Sequence, residues 1–206
     1  HQVLYYFSTI LCNIHVYNVA IFDIANILIV KEAFNKVEGG RILLNFRNLT
    51  PVNGFDYLNL TNARQNNYAW SMSELDDFIY VGTGRNILVN IIKSIVPQTK
   101  LPDLINPGTI VNRAEIWRYK KDGSLPWEKV HEDPASSGFR FMINHRPFGG
   151  SPCIYAAAFS NPVKIWKTTN GVNWYPVLNT VLEGTSSRAM VSHKGKLYVA
   201  TINESD

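Results

Sequence analysis

From Asn67 onward, apolar and polar residues alternate in short runs bounded by turn formers, a period that predicts paired β-strands. Residues 69–83 (AWSMSELDDFIYVGT) and 187–201 (SRAMVSHKGKLYVAT) carry Met, an aliphatic–Tyr–Val run and Thr at the same offsets. The turn falls at Asp76–Asp77 in one copy and at Lys194–Gly195 in the other. A looser copy runs from a first strand at 139–143 to a second at 154–158, across a loop holding Pro147, Gly149, Gly150 and Pro152.

A second hairpin pattern lies between these copies. Ile116–Trp117 is followed by Asp122–Gly123 and Trp127, and Ile165–Trp166 by Asn170–Gly171 and Trp174. Asp-Gly and Asn-Gly predict tight turns with positive φ at both central residues. The two patterns alternate, so together they predict a four-stranded antiparallel unit. Its period is 43 residues from Tyr155 to Tyr198 and 49 from Trp117 to Trp166. That is the period of a propeller blade, whose faces are buried only by stacking on neighbours.

The expected fold is therefore all-β: a propeller fragment of about two and a half blades. The blades are placed at 67–133, 138–179 and, incomplete, 186–206, within a partial propeller over 41–206. Residues 86–112 interrupt the first blade as an insertion, read as an extra strand or a short helix. Fewer than three blades cannot close a ring, so the expectation is an open stack with apolar edges prone to association.

Residues 1–40 stand apart. Two apolar runs, 3–14 and 16–30, are broken by Asn13, His15, Asn18, Asp23 and Asn26. Asp23 argues against a membrane span, which needs about 20 apolar residues with few polar breaks. The basic leader region of a signal peptide is missing too. The segment reads as a buried strand or helix pair, a membrane or export segment, or sequence outside the folded domain. A strand is predicted at 41–46 and turns over 48–60. The chain opens on His1, its first methionine is Met72, and it reads as a piece of a longer protein.

The second hairpin resembles the Asp-box (BNR) repeat of sialidase-like propellers: Thr168, Asn170, Gly171 and Trp174 stand where that motif has Ser or Thr, Asp, Gly and Trp. It departs in having Asn for Asp and a short Gly-to-Trp spacing. The Gly195–Lys196–Leu197–Tyr198–Val199 run is also similar to Kelch-type blades, and residues 163–166 echo a WD repeat without its Gly-His and Trp-Asp signatures. The resemblance implies that Asn170, Gly171 and Trp174 are fold residues on the outer side of a blade.

Composition adds limits. Charged residues are 17% and aromatics 12%, which suits strands and argues against disorder. Net charge is +4 and the basic residues are scattered, so no nucleic-acid stripe forms. Cys12 and Cys153 are too far apart in sequence for a metal pattern and read as buried free thiols. Asn48, Asn59 and Asn203 open glycosylation sequons that matter only in a secreted protein, so an extracellular or cell-surface setting stays open beside others.

The candidate chemistry is cationic. Arg140 and Arg188 each stand two places before the Met of their copy, where the first copy has Trp70. Equal register points them the same way on adjacent blades, and Arg85 is expected to approach the same mouth. Clustered guanidinium groups bind carboxylate or phosphate. The sialidase resemblance, in which an arginine triad holds a sugar carboxylate, points the same way. The other reading is that these arginines brace adjacent blades.

No catalytic pair is visible: Glu74, Asp76, Asp77, Glu115, Glu132, Asp133 and Glu183 are not paired by any motif. His131, His145 and His193 lack metal spacing, and residues 82–85 (GTGR) lack the rest of a phosphate loop. No metal or cofactor is expected. The function classes are a binding propeller for an acidic or carbohydrate ligand, or a protein partner, and a sialidase-like hydrolase.

Overall fold

The predicted hairpins all form. The computed structural model describes residues 31–38, 41–50, 52–95, 110–177 and 182–203. The apolar N-terminal runs, Cys12 and the very C-terminus lie outside them. Strands β1 (Lys31–Glu38) and β2 (Arg41–Asn48) pair as a two-stranded sheet, so the strand expected at 41–46 has a partner that its mixed polar sequence did not announce. A short helix, α1 (Leu60–Ala63), follows, capped by Asn59, whose Oδ1 accepts from the Asn62 N–H at 3.0 Å.

The first four-stranded sheet runs β3 (Asn66–Leu75), β4 (Phe78–Arg85), β5 (Ala114–Lys120) and β6 (Glu128–Asp133), in chain order and antiparallel. The second runs β7 (Phe139–His145), β8 (Cys153–Ala158), β9 (Lys164–Thr168) and β10 (Tyr175–Pro176), in the same order. A final hairpin joins β11 (Ser186–His193) to β12 (Lys196–Ile202). The insertion after β4 resolves as helix α2 (Ile87–Ile95), entered through Asn86 at positive φ. No described helix is long and apolar enough to cross a membrane.

The register repeats. Met72 pairs with Val81, Met142 with Ala156 and Met190 with Val199, each the residue after the shared tyrosine. Tyr80 pairs with Arg118, and Tyr155 with Lys167. The junctions repeat too. Arg85 N donates to Ser137 O at 2.8 Å and Ala114 N to Ser136 O at 2.8 Å; one sheet later, Ser160 N donates to Thr185 O at 3.2 Å and Val163 N to Gly184 O at 3.1 Å. Successive sheets are thus joined by one hydrogen-bond pattern. No sheet closes on itself.

Packing follows the same order. Leu75, Tyr80, Ile116, Phe139, Met142 and Trp174 form one core between the two four-stranded sheets. Ala157, Ile165 and Met190 form another under β11–β12. The methionines of the later first strands are sealed against the preceding four-stranded sheet: Met142 and Met190 are buried, while Met72, on the first of these strands, is half exposed.

One turn expectation needs correction. Gly123 and Gly171 have positive φ, but Asp122 and Asn170 do not. These are not two-residue hairpin turns. In the second sheet the Asn170 side chain builds a wider loop, its Oδ1 accepting from Val172 N at 3.0 Å and Asn173 N at 2.9 Å, while Thr168 Oγ1 accepts from Gly171 N at 2.9 Å. Trp174 is buried, and a Cβ on Gly171 would run into the Tyr80 hydroxyl. Asn170, Gly171 and Trp174 accordingly work in the fold.

Candidate functional site

A β-bulge sits at the same place in each of the three first hairpins. The pairing skips one residue between Ala69 and Ser71 and between Phe139 and Phe141, and sets two residues, Ser187 and Arg188, against the single Thr201 between Ser186 and Ala189. The extra residue is Trp70 in the first and Arg140 in the second; the third shift spans Arg188. A bulge bends its strand and re-aims the side chain at it. The sequence matched these three positions by offset from Met; the bulge is what sets them apart from the strand alternation.

Around the bulges the side chains stack. Trp70 lies in a slot where a Cβ on either Gly84 or Gly138 would strike its indole. Tyr68, itself exposed, stacks beside it with ring centroids 6.1 Å apart. The Arg140 guanidinium lies over the Trp70 ring at 4.9 Å and over Phe159 at 5.3 Å, and Phe159 meets Trp70 edge-on at 5.8 Å. Cation–π contacts of this kind contribute about 0.5–1 kcal/mol at exposed sites. Arg140 Nη1 also donates to Ser186 Oγ on β11 at 3.1 Å. Arg188 is exposed on that same strand. The structure thus gives a continuous row, Tyr68–Trp70–Arg140, reaching the strand of Arg188.

Arg85 does not join the row. Only 1% of its side chain is exposed, and it forms an ion pair with the equally buried Glu115 at 3.1 Å. The same Nη1 donates to Asn66 Oδ1 at 2.9 Å, Nη2 donates to Asn62 Oδ1 at 2.9 Å and Nε to Val111 O at 3.0 Å. All three nitrogens of that buried guanidinium are engaged within the fold, so the expectation that it opens on an anion mouth is corrected: Arg85 is a bracing residue. Burial pulls its pKa below the ordinary value, and Glu115 is the largest influence pulling it back.

Sequence reasoning left Glu115 without a role. Its carboxylate also accepts from Trp117 Nε1 at 2.8 Å, Asn66 Nδ2 at 2.9 Å and Lys129 Nζ at 3.1 Å. Burial is the largest single influence on Lys129 and would lower its pKa, but Glu132 and Glu115 together outweigh it and raise it. No motif predicts this cluster because Asn62, in α1, and Asn66, at the start of β3, are distant in sequence from Glu115.

The histidines separate. His145 Nδ1 meets Ser192 Oγ at 2.8 Å and ties β7 to β11. His131 sits in an aromatic box, 4.2 Å from Trp166 and 5.8 Å from Trp174. Burial drives its pKa down to about 4, against the opposing pull of Asp133 and Glu132. Among the described residues no group of His, Cys, Asp and Glu is placed to hold a metal. Cys153 is a buried free thiol.

The sequence matches no protein-family model, and a search of curated protein sequences finds no significant match.

Proposed function

We infer that the chain is a binding module, a run of β-propeller blades of the sialidase-like or Kelch-like kind, whose bulge row takes an acidic or carbohydrate ligand. The recurring bulge carries this reading: three successive first hairpins break their strand register, at Trp70, at Arg140 and over Ser187–Arg188. An aromatic plate beside guanidinium groups suits a sugar ring with a carboxylate, which arginine holds by charge-assisted hydrogen bonds worth about 1.5–3 kcal/mol each. The repeated junction bonds support reading each sheet as one blade.

Calorimetric titration with a sialylated oligosaccharide and its neutral counterpart tests the reading. The acidic ligand should bind more tightly, and the Arg140→Ala, Arg188→Ala double variant should lose about tenfold or more in affinity. Equal affinity for both sugars, or an unchanged double variant, would overturn it. Turnover of aryl glycosides in the same samples would move the reading to a hydrolase.

A further inference from the structure

The two four-stranded sheets carry matched tyrosines under different cover. Tyr80 pairs across its sheet with Arg118, and Tyr155 with Lys167, in the same register. Each tyrosine has the cation beside it: the Arg118 guanidinium lies over neighbouring Phe78 at 4.4 Å, and Lys167 Nζ over the Tyr155 ring at 5.5 Å. Tyr80 is 1% exposed. What covers it is the β9–β10 hairpin of the next sheet: the Gly171 turn lies against its hydroxyl, and Trp174 meets its ring edge-on at 6.3 Å. Hairpin β11–β12 packs Met190, Leu197 and Val199 into the apolar cluster of the corresponding face on the second sheet, at whose border Tyr155 and Val177 are only partly buried. Those two residues also line a cleft of about 330 Å³ with Lys167, Thr169, Tyr175 and Pro176.

We propose that this cleft is a docking seat for a polypeptide β-hairpin of the type that covers Tyr80, supplied from outside the described residues. The occupant sets a turn glycine at positive φ against the Tyr155 ring, because any Cβ there would collide as it would at Gly171. A tryptophan three residues later lies edge-on to the same ring. The flanking strand runs over Tyr175, whose side chain is 63% exposed. A second copy of the described region cannot fill the role with its own hairpins. Its Gly171 and Trp174 are buried on its own Tyr80, and Trp127, the counterpart of Trp174, is buried 4.3 Å from Phe55.

The test uses the full chain and, as probe, a cyclised peptide carrying residues 163–177, since an isolated hairpin needs closure to persist. Labelled-peptide anisotropy should give saturable binding, and amide shifts should centre on Tyr155, Lys167 and Tyr175. A Trp174→Ala peptide should bind about tenfold or more weakly. On the protein, Tyr155→Ala should abolish binding. Tyr175→Ser, at an exposed edge, tests the same seat without disturbing the core and should weaken binding about threefold. Three results would overturn the proposal: no binding at about 1 mM peptide, equal binding of the Trp174→Ala peptide, or shifts centred on Trp70 and Arg140 instead.

Discussion

The two four-stranded sheets share strand order, register and junction, yet each is held by different chemistry. The first buries a charged cluster, with Arg85 and Glu115 each 1% exposed and tied to Asn62 and Asn66. The second has Ala158 and Val163 in its interior and, where Glu115 would stand, Lys164 at its partly exposed surface. The difference follows the neighbours. The first sheet's outer face is closed by the irregular segment carrying Leu49 and Phe55 and by α1, whose backbone and side chains need polar partners. The second sheet packs on regular strands, which satisfy their own backbone groups and ask only for apolar surface. One architecture thus accepts a polar or an apolar lock, according to what lies against it.

The largest effect should come from breaking the polar lock. Glu115→Ala leaves the Arg85 charge buried and unpaired and should cost about 3–5 kcal/mol in urea unfolding. Lys164→Ala, at the matched position, should stay within about 0.5 kcal/mol. Similar losses at the two sites would end the distinction.

The turn glycines sharpen the same comparison. Gly171→Ala meets both positive φ and the Tyr80 hydroxyl and should cost about 2–4 kcal/mol. At Gly123 an added Cβ would meet only the Tyr119 hydroxyl at 3.1 Å, so Gly123→Ala should cost about 1 kcal/mol, mainly for φ.

The first junction also carries a proton-sensitive group. The His131 pKa falls to about 4 in the fold from an ordinary 6.5, so the unfolded chain binds the extra proton. Its contribution is whole above pH 6.5 and is lost as pH falls toward about 4. Asp133 and Glu132 are the carboxylates that oppose the shift. Unfolding midpoints against pH should flatten in this window in His131→Phe. Arg140→Ala should likewise cost only about 1 kcal/mol of stability through its lost contacts with Trp70 and Phe159.

Much of this framework was legible in the sequence. The Met, Tyr and Trp positions marked both hairpin types because their spacing is local and repeated. What stayed hidden depended on distant partners. Arg85 read as a mouth residue because nothing near it in sequence shows Glu115 or Asn62. The bulge was invisible because one inserted residue shifts register without changing composition. The asparagine of the 170–171 turn read as a φ-positive position, but its side chain, not its backbone, makes the turn. Strand β1, with its mixed charge, announced no partner.

The shared bulge separates the identity of a residue from its placement. Backbone geometry fixes where the position sits in each repeat, so the side chain there can differ without moving its frame. A tryptophan occupies one such socket and arginine the next, and each repeat can be exchanged one residue at a time. A surface assembled this way can change its charge and shape by single substitutions, while the hydrogen bonds that join its sheets stay as they are.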